Sequence, residues 1–117
     1  MAMKPTEFDG AVPVDGYGPG FFRVGGKIFH GPVLVTQGGG REWGGLQDSD
    51  ALIALSGQID VLFLGMGADI AHPPKVLVQA LEQADIMVEA MASPTAARTY
   101  NVTLSEGRRV ACALIPV

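Results

Sequence analysis

Three arginines and a single acid lie between Ser93 and Val117: Arg98, Arg108 and Arg109 against Glu106, a local charge of +2 in a chain whose net charge is −4. Guanidinium groups grip oxyanions through paired N–H donors and serve equally well in structural ion pairs. A strand beginning at Arg108 sends Arg108 and Arg109 to opposite faces, and a sheet covered on both sides accepts an arginine only at its end or when it is paired. At least one of the two is therefore expected to have a structural partner, with Glu106 or the carbonyls ending the preceding helix as candidates. The other use, an anion or partner site, requires Arg98, on the polar face of its helix, to lie near one of the strand-end arginines.

Gly65-Met66-Gly67-Ala68-Asp69 follows the apolar run Val61 to Leu64, and open α/β sheets commonly bind ligands at the carboxyl ends of their strands. A dinucleotide fingerprint has a third glycine where this chain has Ile70, and the next helix waits until after His72-Pro73-Pro74, so a nucleotide is not expected. Two uses stay open for Gly65, Met66 and Gly67: a tight structural turn or the cradle of a small anionic ligand. Gly38-Gly39-Gly40 runs into Arg41-Glu42-Trp43 without the Gly-Lys-Ser/Thr ending of a phosphate loop, and reads as a flexible loop over 37–45. Trp43, the single tryptophan, either anchors that loop or meets a partner. His30, His72 and Cys112 have no metal-ligand spacing. Cys112, between Ala111 and Ala113, reads as a small core residue rather than a nucleophile. Asp60, Asp69, Asp85 and Glu89 are scattered, with no spacing that forces two carboxylates together. No catalytic residue, metal or cofactor is expected.

The elements that must hold these groups follow from periodicity and punctuation. Pro, Gly and Asp fill residues 1–20, which predicts an irregular arm. Residues 21–24, 27–30 and 32–36 read as short strands, the first two joined by a Gly25-Gly26 hairpin turn. Asp48 is a candidate cap for a helix over 49–56. The unalternating 60–64 reads as a strand covered on both faces. A helix over 74–84 carries Val76, Leu77, Ala80, Leu81 and Ala84 on one stripe, and 86–91 is the next buried strand. Ser93 as N-cap, Pro94 in the first turn and Gly107 as the stop define a third helix, after which 108–115 closes the domain as a strand. Strands separated by single helices imply a three-layer α/β domain over 1–117: a largely parallel central sheet with helices packed on it, plus the antiparallel hairpin portion.

Bulk properties narrow the function. With 117 residues the chain forms one domain, and 48% hydrophobic against 17% charged residues means a well-covered sheet or an apolar patch left for a partner. A pI near 4.9 argues against phosphate-backbone binding, so nucleic acid is not an expected partner. No apolar run long enough for membrane insertion and no signal-peptide pattern is present in the sequence. With one cysteine, no intramolecular disulfide can form, and a cytoplasmic protein is expected. The missing arginine-rich presequence implies a bacterial chain or a mature form.

Ala97-Arg98-Thr99-Tyr100-Asn101 followed by Glu106-Gly107-Arg108-Arg109-Val110 resembles the Mth-like domain family of small α/β proteins. The resemblance extends through Val14-Asp15-Gly16-Tyr17-Gly18-Pro19-Gly20-Phe21, Arg23-Val24, 31–35, Trp43 and Leu64-Gly65-Met66-Gly67. Methionine stands at 66 where related chains often carry threonine or serine, and Ala92 to Thr95 is a looser approach to the helix. One eukaryotic branch of that family is a mitochondrial assembly factor for respiratory complex I. The resemblance implies a compact three-layer domain that binds another protein, with a respiratory-complex subunit as the candidate partner, and without a catalytic residue set. A small-molecule site above Gly65 to Gly67 and a homo-oligomer are the alternatives.

Overall fold

The computed structural model describes residues 10–117. Strands β1 (Val14–Gly18), β2 (Phe21–Val24) and β3 (Lys27–His30) form a three-stranded antiparallel sheet in that order. A second sheet of five strands has the order β5-β4-β8-β6-β7, built from β4 (Val33–Thr36), β5 (Gly39–Glu42), β6 (Val61–Gly65), β7 (Met87–Met91) and β8 (Val110–Leu114). The helices are α1 (Ser49–Ile53), α2 (Lys75–Gln83) and α3 (Ser93–Ser105).

The order explains the layering. From β6 the chain steps outward to β7 through α2, then back across β6 to β8 through α3, with β6 parallel to both neighbours. Parallel crossovers are right-handed, so two steps in opposite directions put their helices on opposite faces. Accordingly Val61, Phe63, Val110, Cys112 and Leu114 share a core with α3 and the three-stranded sheet. Leu62, Leu64, Ala111 and Ala113 share another with α1 and α2. β6 and β8 are buried at every position, as their unalternating sequences require.

Several expectations need correction. The five-stranded sheet is mixed rather than largely parallel: β4 runs antiparallel to β5, as the two-residue turn between them requires, and antiparallel to β8 as well. The arm expected over 1–20 is strand from Val14 to Gly18, and its residues 1–9 lie outside the described ones. The loop expected over 37–45 contains β5; Gly40 belongs there because a Cβ would stand 3.0–3.1 Å from Phe29 and Val24. β7 is an edge strand with Met87 61% exposed, not a buried one. Gly25 and Gly26 do turn with φ of 57° and 81°, and Gly107 follows α3 at φ 78°. Asp48 caps α1, its carboxylate accepting from the Ala51 N–H.

Asn101 attaches the small sheet to α3. Its buried amide accepts from the Val14 N–H at 2.9 Å and donates to the Val14 C=O at 2.9 Å, imitating a neighbouring strand on the outer edge of β1. Tyr100, fully buried, donates its hydroxyl to the Val12 carbonyl at 3.0 Å. Burial raises the pKa of its phenol far above the ordinary value, so it stays a neutral donor. Replacing Asn101 by Ala strands a buried N–H and C=O and should cost about 2–3 kcal/mol in urea unfolding. Asn101→Asp, which can accept but not donate when ionised, should also destabilise at neutral pH. Val102→Ala on the exposed side of the same helix should stay within about 0.5 kcal/mol.

Candidate functional site

At the carboxyl end of β6 the turn after Gly65 is occupied by the protein itself. The Gly67 N–H donates to Ser93 Oγ at 2.9 Å, Ser93 Oγ donates to the Ile115 carbonyl, and the Ser93 N–H donates to the Gly67 carbonyl at 2.7 Å. Gly65 accepts from the Ile115 N–H at 3.0 Å, and Met66 donates to the Met91 carbonyl at 2.8 Å. A Cβ on Gly65 would meet Ser93 Oγ at 2.6 Å and Ser93 Cα at 2.7 Å, and Gly67 sits at φ +101°. Met66 packs half-buried against the α1–α2 core. Gly65 is thus needed for the close approach of α3 to β6 and Gly67 for its left-handed φ, which is the tight-turn use of the two left open by the sequence. Ser93 is correspondingly not the N-cap. Ala92 holds that position, with no side-chain cap, and the Ser93 hydroxyl is buried between strand ends.

The arginines separate. Arg109 donates from Nη2 and Nε to the two carboxylate oxygens of Asp60, at 2.8 and 3.3 Å, and from Nη1 to the Gly57 carbonyl at 3.0 Å. The structural partner is therefore Asp60 rather than Glu106, because Asp60 and Arg109 precede the neighbouring strands β6 and β8 at the same end of the sheet. The hydrogen bonds from Arg109 hold the Asp60 carboxyl below its usual pKa, the charges of Arg109 and Arg108 add to this, and slight burial opposes it. Arg108 is exposed. Arg98, also exposed, lines a shallow pocket with Val14, Tyr17, Pro94 and Asn101, between α3 and β1, to which neither strand-end arginine contributes. The three arginines do not converge on one site.

Trp43 is 4% exposed and its indole donates to the Asp48 carbonyl at 3.0 Å, so it anchors the segment between β5 and α1. Cys112 is fully buried, and desolvation raises its thiol pKa well above the usual value. Among the described residues no group of three or more His, Cys, Asp or Glu is placed to hold a metal ion, and no helix is long and apolar enough to cross a membrane.

Sequence reasoning missed a polar cleft at the amino ends of β6 and β8. It is lined by Thr36, Gln37, Leu55, Gln58 and Arg109, has a volume of about 260 Å³, and continues through Thr36, Leu55 and Gln58 into a second lobe lined by Arg41. Arg41 was hidden by the glycines before it, which read as loop. Its ladder position opposite Leu34, an α1–α2 core residue, turns its side chain toward α1.

Comparison with known proteins gives a consistent picture. Residues 14–115 match the family described as protein of unknown function (DUF498/DUF598). An uncharacterised protein of Rhodobacter capsulatus is 52% identical over 117 residues, covering all of this chain and 94% of its own length. The NADH dehydrogenase [ubiquinone] 1 alpha subcomplex assembly factor 3 of Danio rerio is 31% identical over 99% of this chain and 71% of its own. The solution structure of a Mth938-like domain from Bordetella pertussis superposes with a TM-score of 0.76 at 25% identity, covering 99% of this chain and 91% of that one.

Gly65→Ala should destabilise the protein by more than about 2 kcal/mol, because the clash with Ser93 Cα is with backbone and removing the hydroxyl in a Gly65→Ala/Ser93→Ala double variant should not restore stability. Chemical denaturation of the single and double variants checks this. The carboxyl of Asp60, followed by carbon-detected NMR, should titrate below the ordinary carboxylate range and move back toward it in Arg109→Gln. Since the folded-state pKa is the lower one, the stabilisation is present above the unfolded-state value and is lost as pH falls through the folded one. The stability difference between wild type and Arg109→Gln should therefore shrink on acidification.

Proposed function

The chain belongs to the family of proteins of unknown function DUF498/DUF598, and from that membership we propose that it is a non-enzymatic protein-binding factor assisting assembly of a respiratory NADH dehydrogenase complex. The observation that carries this reading is the 31% identity to an assembly factor of that complex over nearly the whole chain. The geometry supports a contact surface rather than a reaction site. The pocket beside Arg98 has room, at about 20 Å³, for roughly one water. On the same helix Val102 is 47% exposed. An exposed guanidinium beside an aliphatic side chain and an aromatic-lined dimple suits a partner surface that offers an acidic group next to an apolar one. The lone cysteine, buried and free, fits action in the reducing cytoplasm. A second copy of the chain is the competing occupant of this face.

Tagged protein recovered from its own cells at native expression should carry NADH dehydrogenase subunits, measured by quantitative mass spectrometry. Enrichment should fall at least about tenfold, the effect of losing one desolvated charge contact, in Arg98→Glu and separately in Val102→Glu, both with wild-type melting temperatures. Recovery of the protein with only copies of itself, or equal enrichment in both variants, would sink the assembly reading of this surface.

A further inference from the structure

We propose that the cleft between the β4–β5 turn, the end of α1 and the segment before β8 binds a small oxyanion, a carboxylate or phosphate group, between Arg41 and Arg109. This inference is independent of the assembly reading, since it concerns the opposite end of β8 from the Ser93 staple and does not use the Arg98 face.

Three observations converge. The first is charge: in a chain of net −4, none of the described residues lining either lobe is acidic, and each lobe is lined by one arginine, Arg109 in the first and Arg41 in the second. Among the described residues the Arg41 side chain has no hydrogen-bond or ion-pair partner, which leaves its five guanidinium donors for a ligand.

The second is preorganisation. Asp60 and the Gly57 carbonyl take three of the five N–H donors of Arg109, leaving one on Nη1 and one on Nη2. An arginine already fixed on one side loses little side-chain entropy when it binds on another, which is the main cost of recruiting a free surface arginine. Asp60 neutralises part of the charge of Arg109, so the net attraction comes from Arg41 while Arg109 supplies direction.

The third is shape. The lobes, about 260 and 270 Å³, share Thr36, Leu55 and Gln58 and so form one depression. Leu55 and Ile59 make an apolar floor and are each 6% exposed. Thr36, Gln37 and Gln58 add neutral polar groups to the lining, with one Gln58 N–H already given to the Ala54 carbonyl. An apolar floor with a few convergent polar groups is the usual composition of a small-ligand site, and bidentate guanidinium contacts select carboxylate and phosphate over other polar groups.

The test is a nitrogen-15 NMR titration of the intact protein with inorganic phosphate and, separately, with citrate, both at constant ionic strength against sodium chloride. The inference predicts saturable shifts at the amides of Gly38, Gln58 and Val110 and at the Arg109 Nε–H for at least one probe, with a dissociation constant at or below about 1 mM. Arg41→Gln should weaken binding about tenfold, the loss of one charge-assisted contact. Arg23→Gln on the small sheet should leave it unchanged. Phosphate binding more tightly names a phosphorylated ligand, and citrate a polycarboxylate; either supports the site. Shifts that never saturate, that match the chloride control, or that survive Arg41→Gln would overturn it. Because Arg41 is exposed on an edge strand, the variant should retain the native spectrum elsewhere, which the same data verify.

Discussion

Both faces of β6 and β8 are out of water, and the rest of the molecule follows from that constraint. A strand so placed cannot turn its backbone groups to solvent, so every donor and acceptor around its ends must find a partner inside the protein. Ser93 meets this need, while Asn101 and the exposed Arg109 hold neighbouring segments in place. Ser93 joins the turn after β6 to the end of β8, Asn101 completes the open edge of β1, and Arg109 ties the loop around Gly57 and Asp60 to the start of β8. Ser93 and Asn101 are the buried polar residues of the described chain, and no buried side-chain polar atom there lacks a partner. Such satisfied groups define one docking geometry for α3 and the small sheet, where apolar packing alone would tolerate several.

The constraint also makes the two ends of the sheet unlike. At the carboxyl ends of the parallel strands, where α/β proteins usually bind ligands, the start of α3 packs close against the end of β6, an approach that Gly65 permits. At the amino ends the mixed topology leaves a gap. β4 enters beside β8 in the opposite sense, its turn to β5 lies at the level where β8 begins, and α1 ends after 53 with a series of turns instead of continuing across the opening. The polar cleft is the consequence.

Much of this was legible in the sequence, and for identifiable reasons. The double glycine at 25–26, the cap at Asp48, the unbroken apolar runs of β6 and β8 and the stop at Gly107 are local signals whose meaning does not depend on distant residues. β1 and β5 were not legible, because Val14-Asp15-Gly16-Tyr17-Gly18 and Gly39-Gly40-Arg41-Glu42 lack the apolar alternation of strands; pairing with β2 and β4, and contact with α3, holds them in place. The sense of the sheet was misjudged for a related reason, since which strand lies beside β8 is decided by contacts more than 70 residues apart. The roles of Arg109 and Ser93 were likewise hidden. Each is set by a partner remote in sequence, Asp60 for one and Gly67 with Ile115 for the other, while a near neighbour offered a plausible local alternative. Arg98 is different: its exposure on the polar face of α3 was readable from helical spacing.

The proposed role rests on similarity to an assembly factor and on a helix, α3, that presents Arg98 and Val102 outward. The most direct measurement is the amount of fully assembled NADH dehydrogenase complex, resolved on native gels, in cells of the source organism lacking this chain. The account predicts less mature complex and an accumulation of partial assemblies, restored by the wild-type chain and not by one carrying Arg98→Glu. Unchanged levels of mature complex and the absence of partial assemblies would contradict it.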